Sequence, residues 1–138
     1  MRKTASAILG ASALAMLMGT AMTSPWAYAE GGKLPDPKVC ESKDNPPKDA
    51  VTKGACVIID RVKGNCTACH MIPGADSWGD IAPPLVAMPK RFPDKNKLRE
   101  QVSDPHKFNP DSIMPPFGKH EILTKEEIDN VVEFLYTL

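Results

Sequence analysis

Cys66-Thr67-Ala68-Cys69-His70 places two thiols within one turn of chain, with an imidazole immediately after them. Three chemistries use such a spacing: a redox dithiol, half of a zinc site, and covalent attachment of haem through both sulfurs. A redox dithiol belongs in a βαβ setting, yet the apolar spacing ahead of this motif is helical, and His70 would have no role. Structural zinc needs a second ligand pair. The remaining cysteines, Cys40 and Cys56, do not stand at C-x2-C spacing, although a fold could still gather them. The haem reading uses every residue of the motif. Cys66 and Cys69 meet the two vinyl groups, and His70 lies beneath the ring and offers a nitrogen to the iron.

The N-terminus agrees with that reading. Met1-Arg2-Lys3 is a basic start, Ala5 to Met22 is an apolar run, and Ala27-Tyr28-Ala29 has the small-residue form of a cleavage site. Residues 1–29 are therefore expected to be a signal peptide and Glu30 the mature N-terminus. Ala, Gly and Ser dilute the run, which argues against a retained membrane anchor. The expected location is the bacterial periplasm, where c-type haem is attached after export. The whole chain has a formal net charge of zero. Losing Arg2 and Lys3 leaves an acidic excess, and no basic run interleaved with aromatics points to nucleic acid. In an oxidising compartment the leftover Cys40 and Cys56 most simply pair with each other, the alternative being a bridge to a partner subunit.

Residues 30–48, rich in Pro, Lys, Asp and Gly, have no apolar period and read as an irregular arm ahead of a single domain over 49–138. Asp49 can cap a helix bearing Ala55, Ile58, Ile59 and Val62, ended by Gly64 and Asn65, with Gly54 permitting a close crossing. Lys95 to Val102 suits a short helix burying Leu98 and Val102. Thr124 to Glu127 is a capping box opening a helix with the stripe Ile128, Val131, Val132, Leu135 and Leu138. Strand signals are nearly absent. The expected class is all-α, about three to five helices around one haem. The long proline-bound loops between them are costly in so small a domain unless they wrap something large and apolar.

A haem iron held by His70 leaves a second axial position. Met71 adjoins His70 and falls on the same side of the ring. Met88 is more easily a core side chain. Met114 lies far enough along the chain to reach the opposite face, and Pro115 and Pro116 stiffen it, which helps a weak thioether ligand stay bound. His106 and His120 are rivals in polar segments. On the His70 side, the non-ligating ring nitrogen needs an acceptor, and Pro83 in Ala82-Pro83-Pro84-Leu85 is placed to offer its carbonyl. Lys63, Lys90, Arg91, Lys95 and Lys97 are candidates to rim an exposed haem edge, with an ordinary solvated surface as the alternative.

The motif GNCTACH, the APPL turn, the Met-Pro loop and the LTKEEI helix start together resemble class I c-type cytochromes over residues 49–138. The run NPDSIMPPF and the ending VVEFLYTL more specifically resemble SoxX, the small monohaem subunits of the SoxAX sulfur-oxidising cytochromes. Ala82 stands where the family usually has glycine, and the run from Met114 to Leu123 is shorter than in many relatives. The resemblance implies one haem c on Cys66 and Cys69, with His70 and Met114 as axial ligands. It also implies a heterodimer with a larger SoxA-like haem subunit and transient contact with a SoxYZ-like carrier and a downstream electron acceptor. In that family the pair acts as an L-cysteine S-thiosulfotransferase acting on thiosulfate. The small subunit is not catalytic alone and carries electrons away. A free-standing soluble periplasmic electron carrier is the alternative the same residues allow.

Overall fold

A computed structural model describes residues 32–138, so the signal peptide and cleavage site expected over residues 1–29 lie outside the described residues. Five helices follow in chain order: α1 (Pro37–Glu41), α2 (Ala50–Ile59), α3 (Met88–Arg91), α4 (Lys95–Ser103) and α5 (Lys125–Leu135). Two single 3-10 turns, Cys66–Ala68 and Pro105–Lys107, complete the regular structure, and no strand occurs among the described residues. The all-α expectation therefore holds, with helices joined by long loops.

Local chemistry fixes the helix starts. The Asp49 carboxylate accepts the Thr52 N–H at 2.8 Å, and Asp94 accepts from Asn96 at 2.8 Å, each satisfying a donor that has no partner within its helix. At α5 the Thr124 hydroxyl accepts from Glu127 N–H at 3.2 Å while the Glu127 carboxylate accepts from Thr124 N–H at 2.9 Å, the reciprocal box read from the sequence. Ile128, Val131, Val132, Leu135 and Leu138 are all buried. Leu98 and Val102 of α4 are buried as well.

Helices α2 and α5 form the principal packing pair. Gly54 makes their approach possible: a Cβ there would sit 1.9 Å from the Asn130 carbonyl oxygen. Around this crossing Ala55, Ile58, Val131, Val132 and Phe134 make a closed core. The C-terminus ties in two further segments. The Thr137 carbonyl accepts from Gly32 at 2.8 Å, and that of Leu138 from Met88 at 3.1 Å.

Three details depart from the sequence reading. α2 stops at Ile59, and Val62 is 90% exposed rather than part of the apolar stripe. The reason is Asp60, whose carboxylate takes the Val62 N–H at 2.8 Å and whose carbonyl takes the Asn65 N–H at 2.9 Å, drawing the chain into a turn. The arm over 30–48 is not wholly irregular, because Asp36 caps α1 and Pro37 supplies a helical φ at its first turn. The loop after the motif likewise contains α3, a single helical turn with Pro89 near its start.

Candidate functional site

Leaving α2, the chain passes through Gly64 and Asn65, the latter in the left-handed region at φ 46°, and enters the turn that carries the motif. The Cys66 carbonyl accepts from Cys69 at 3.2 Å and from His70 at 2.9 Å, so the two thiols and the imidazole are fixed to one tight turn. A second loop is laced to it. Gly79 N–H donates to Thr67 at 2.8 Å, Ala82 to Cys69 at 3.1 Å and Leu85 to Met71 at 2.9 Å. Gly79 is required here because a Cβ would come within 2.0 Å of the Ala68 carbonyl oxygen. Ala82 is under no backbone strain at this turn, since its φ is not positive.

The lacing brings Pro83 over His70. Nδ1 lies 2.6 Å from the Pro83 carbonyl oxygen. A carbonyl can only accept, so Nδ1 carries the proton and Nε2 keeps its free lone pair, the state a metal-binding imidazole needs.

Cys66, Cys69, His70 and Pro83 all line one cavity of about 760 Å³, and Met114 lines it as well. Its walls are apolar: Leu85 and Met88, then Leu98 and Val102 from α4, then Val131 and Leu135 from α5. Met114 is held from both ends. Its N–H donates to the Ser112 hydroxyl at 3.2 Å, and Pro115 and Pro116 follow at once, with Phe117 buried beyond them. Met88 is 2% exposed on the wall, and its sulfur accepts from Arg91 at 3.5 Å. His106 pairs with Asp104 at 3.4 Å and His120 is exposed, and neither lines the cavity.

Cys40 is bonded to Cys56, with Cα atoms 5.4 Å apart, which ties the arm to α2. Those two sulfurs are therefore unavailable as zinc ligands, and no cluster of three or more potential metal-binding side chains occurs among the described residues. Cys66 and Cys69 are free, but burial pushes the Cys66 thiol up to about 12. A working redox dithiol needs the opposite, a thiol lowered toward neutrality.

The family model for cytochrome c matches residues 51–138. The chain is a cytochrome c. It belongs to class I and resembles SoxX. Among solved structures it is similar to SoxXA from P. pantotrophus, with a TM-score of 0.58 and 25% identity over 78% of this chain and 93% of that one. An uncharacterized lipoprotein of Aquifex aeolicus is 37% identical over 75 residues, which are 54% of this chain but only 36% of that protein.

Membership of this cytochrome family implies covalently bound haem c and an electron-transfer role. The residues present fit that group. The cavity has the size and apolar lining of a cofactor site. Ile81, Ile113 and Ile122, exposed by 65%, 80% and 39%, stand along its lining, where a flat apolar ring would cover them. The basic rim is smaller than expected. Lys63 is paired with Glu127, and Lys95 pairs with Glu133 at 2.7 Å and lies over the Tyr136 ring. Of the five cations only Lys63 and Arg91 line the cavity. Several polar cavity residues escaped sequence reasoning, Arg61, Asn109, Asp111 and Ser112 among them, and also Gln101, whose side-chain nitrogen lies 3.9 Å from Met114 Sδ. For Gln101 the available signal was its place between Leu98 and Val102 on the inward face of α4.

Proposed function

We propose that this cytochrome is the electron-accepting small subunit of a SoxAX-like thiosulfate-oxidising complex. It holds one haem c through Cys66 and Cys69, with His70 and Met114 as axial ligands. The observation that carries the ligand set is the convergence of all four side chains on one apolar cavity, with His70 Nδ1 engaged by Pro83. Haem c, when bound, supplies a one-electron ferric–ferrous couple whose potential its axial ligands and burial set. The chain's own residues do the rest. Pro83 fixes the imidazole tautomer and orientation. Pro115 and Pro116 keep the Met114 thioether where it lies, so its weak donation is not lost to water. Leu98, Val102, Val131 and Leu135 keep the site dry.

The similarity to SoxXA from P. pantotrophus supports a larger SoxA-like haem subunit as partner. By the same resemblance, that subunit hosts the thiosulfate chemistry on a SoxYZ-like carrier, and this chain passes electrons to a downstream acceptor. Ala27-Tyr28-Ala29 supports removal of residues 1–29, leaving the arm over 30–48 and the cytochrome domain over 49–138 in the periplasm. The Aquifex aeolicus relative is named a lipoprotein. In this chain Cys40 is bonded to Cys56.

Spectra of the purified protein test the ligand set. Met114→Ala is expected to keep the covalent haem, lose the weak sulfur-to-iron absorption of the oxidised form and admit added imidazole or carbon monoxide. An unchanged spectrum would refute Met114 as ligand. Pull-down from native periplasm with haem staining tests the partner: a larger haem-containing protein should come with it. A chain that stays alone at all salt concentrations favours the free-standing carrier.

A further inference from the structure

Ile81, Ile113 and Ile122 lie on the cavity lining, so a bound ring accounts for their exposure. Trp78 is different. It is the largest of the exposed apolar residues, 52% exposed, and it does not line the cavity. An indole left in water is surface that a protein partner can bury. The loop that carries it is pinned to the haem-binding motif. Ala75 N–H donates to the Ile72 carbonyl at 3.2 Å, Gly79 to Thr67 at 2.8 Å and Ala82 to Cys69 at 3.1 Å. Trp78 therefore stands beside the turn that bears both thiols, on backbone that needs no ordering before it binds. The charges of this loop have one sign. Asp76 and Asp80 flank Trp78 two positions to either side, both exposed and neither in an ion pair among the described residues. Residues 71–89 hold no lysine or arginine.

Resting on the reading of this chain as the small subunit of a two-protein complex, we propose that the Trp78 loop is a docking point for a cationic patch on the larger haem subunit. An arginine of that patch stacks on the indole and reaches Asp76 or Asp80 with the same side chain. A guanidinium suits both halves of the site, being planar enough to lie on the ring and forked to meet a carboxylate. A neutral or acidic face would strip water from both carboxylates and return no counter-charge, which is costly. Contact here sets the partner next to the Cys66–Cys69 turn and leaves the cavity to its ring.

The test follows the ferrous holoprotein by nuclear magnetic resonance. Residues 30–138 contain no other tryptophan, so the Trp78 indole N–H gives one resonance. Hexa-arginine peptide should move that resonance and the amides of Asp76 to Ile81, saturably and less at high salt, while hexa-glutamate should not. By calorimetry, Trp78→Ala should bind hexa-arginine about fivefold more weakly, the loss expected for one exposed cation–π contact. Asp76→Asn combined with Asp80→Asn should also weaken binding and flatten its salt dependence. Phe108→Ala, at an exposed aromatic elsewhere, should change nothing. Shifts centred on other carboxylates, or equal affinity for parent and Trp78→Ala, overturn the proposal. Pull-down from native periplasm separates it from the subunit reading. If the parent brings down a larger haem protein and Trp78→Ala brings down as much, the docking point is refuted and the subunit reading stands. If the parent brings down none, both fall together. Should Trp78→Ala not take up haem, the paired Asp76→Asn and Asp80→Asn variant decides in the same two assays, and parent-like behaviour in both overturns the proposal.

Discussion

Gly54→Ala adds one methyl group at the crossing of α2 and α5. The new Cβ would lie 1.9 Å from the Asn130 carbonyl oxygen, 2.4 Å from its carbon and 2.8 Å from the Val131 nitrogen. All three are backbone atoms, so no rotamer change relieves the overlap. Restoring an ordinary contact of 3.4 Å requires the helices to part by roughly 1.5 Å, enough to loosen Ile58 against Val131 and Val132. Overpacking of this kind costs about 1–3 kcal/mol, and a backbone obstacle puts this site at about 3. Alanine's better helix propensity returns about 1 kcal/mol. The net loss of about 2 kcal/mol should lower the thermal midpoint of the holoprotein by about 8–16 °C. Circular dichroism melts of parent and variant, matched for haem content, measure it. A variant melting at or above the parent would mean that α2 and α5 do not approach this closely, and the account of the core would fail.

The Cys40–Cys56 bond closes a loop of sequence separation 16, so replacing both cysteines with serine should cost about 3 kcal/mol in chain entropy. Denaturant unfolding of the oxidised protein against the double variant checks this, and equal midpoints would show that the arm contributes nothing. Glu127 offers a pH test. The Lys63 ammonium, then the Thr124 N–H, hold its carboxyl below the usual carboxylate range. Stability from this group is therefore present above its unfolded-state pKa and is lost as pH falls through its lowered folded-state value. Glu127→Gln should flatten that acid-side loss in unfolding titrations run at a series of pH values, and an unaltered pH profile would refute the pairing.

The fold was readable wherever a local rule decides the outcome. Thr124 and Glu127 cap each other whatever lies beyond them, and the stripe from Ile128 to Leu138 has one way to be buried. The α2 end was misjudged because periodicity counts Val62 as the next turn of a stripe, while a single carboxylate at Asp60 decides otherwise. α1 and α3 were missed because each is about one turn long, too short for any apolar period to register. At the site, the motif was legible because its residues are consecutive, and Pro83 because the His70 ring needs an acceptor and a stiff proline stands 13 residues on. The ion pairs of Lys63 and Lys95 were not. They link residues 64 and 38 positions apart, and only the folded chain shows which carboxylate each lysine meets.

The same side chains bound the cavity and build the core, and this links function to stability. Val131 and Leu135 lie on α5, the helix that α2 crosses at Gly54, yet they also line the cavity. Leu98 and Val102 do the same from α4. A domain of this size has little apolar surface to spare, so a separate core and a separate cofactor wall would leave both thin. Sharing the wall means that an apolar ring seated in the cavity completes the packing of two helices while being kept from water. The loops need no regular structure of their own, since one is laced to the motif through Ala82 and Leu85 and the other is stiffened by Pro115 and Pro116. Rigidity therefore comes from both walls at once, from the imidazole side and from the thioether side. Such rigidity suits the electron-transfer role that membership of the cytochrome c family implies.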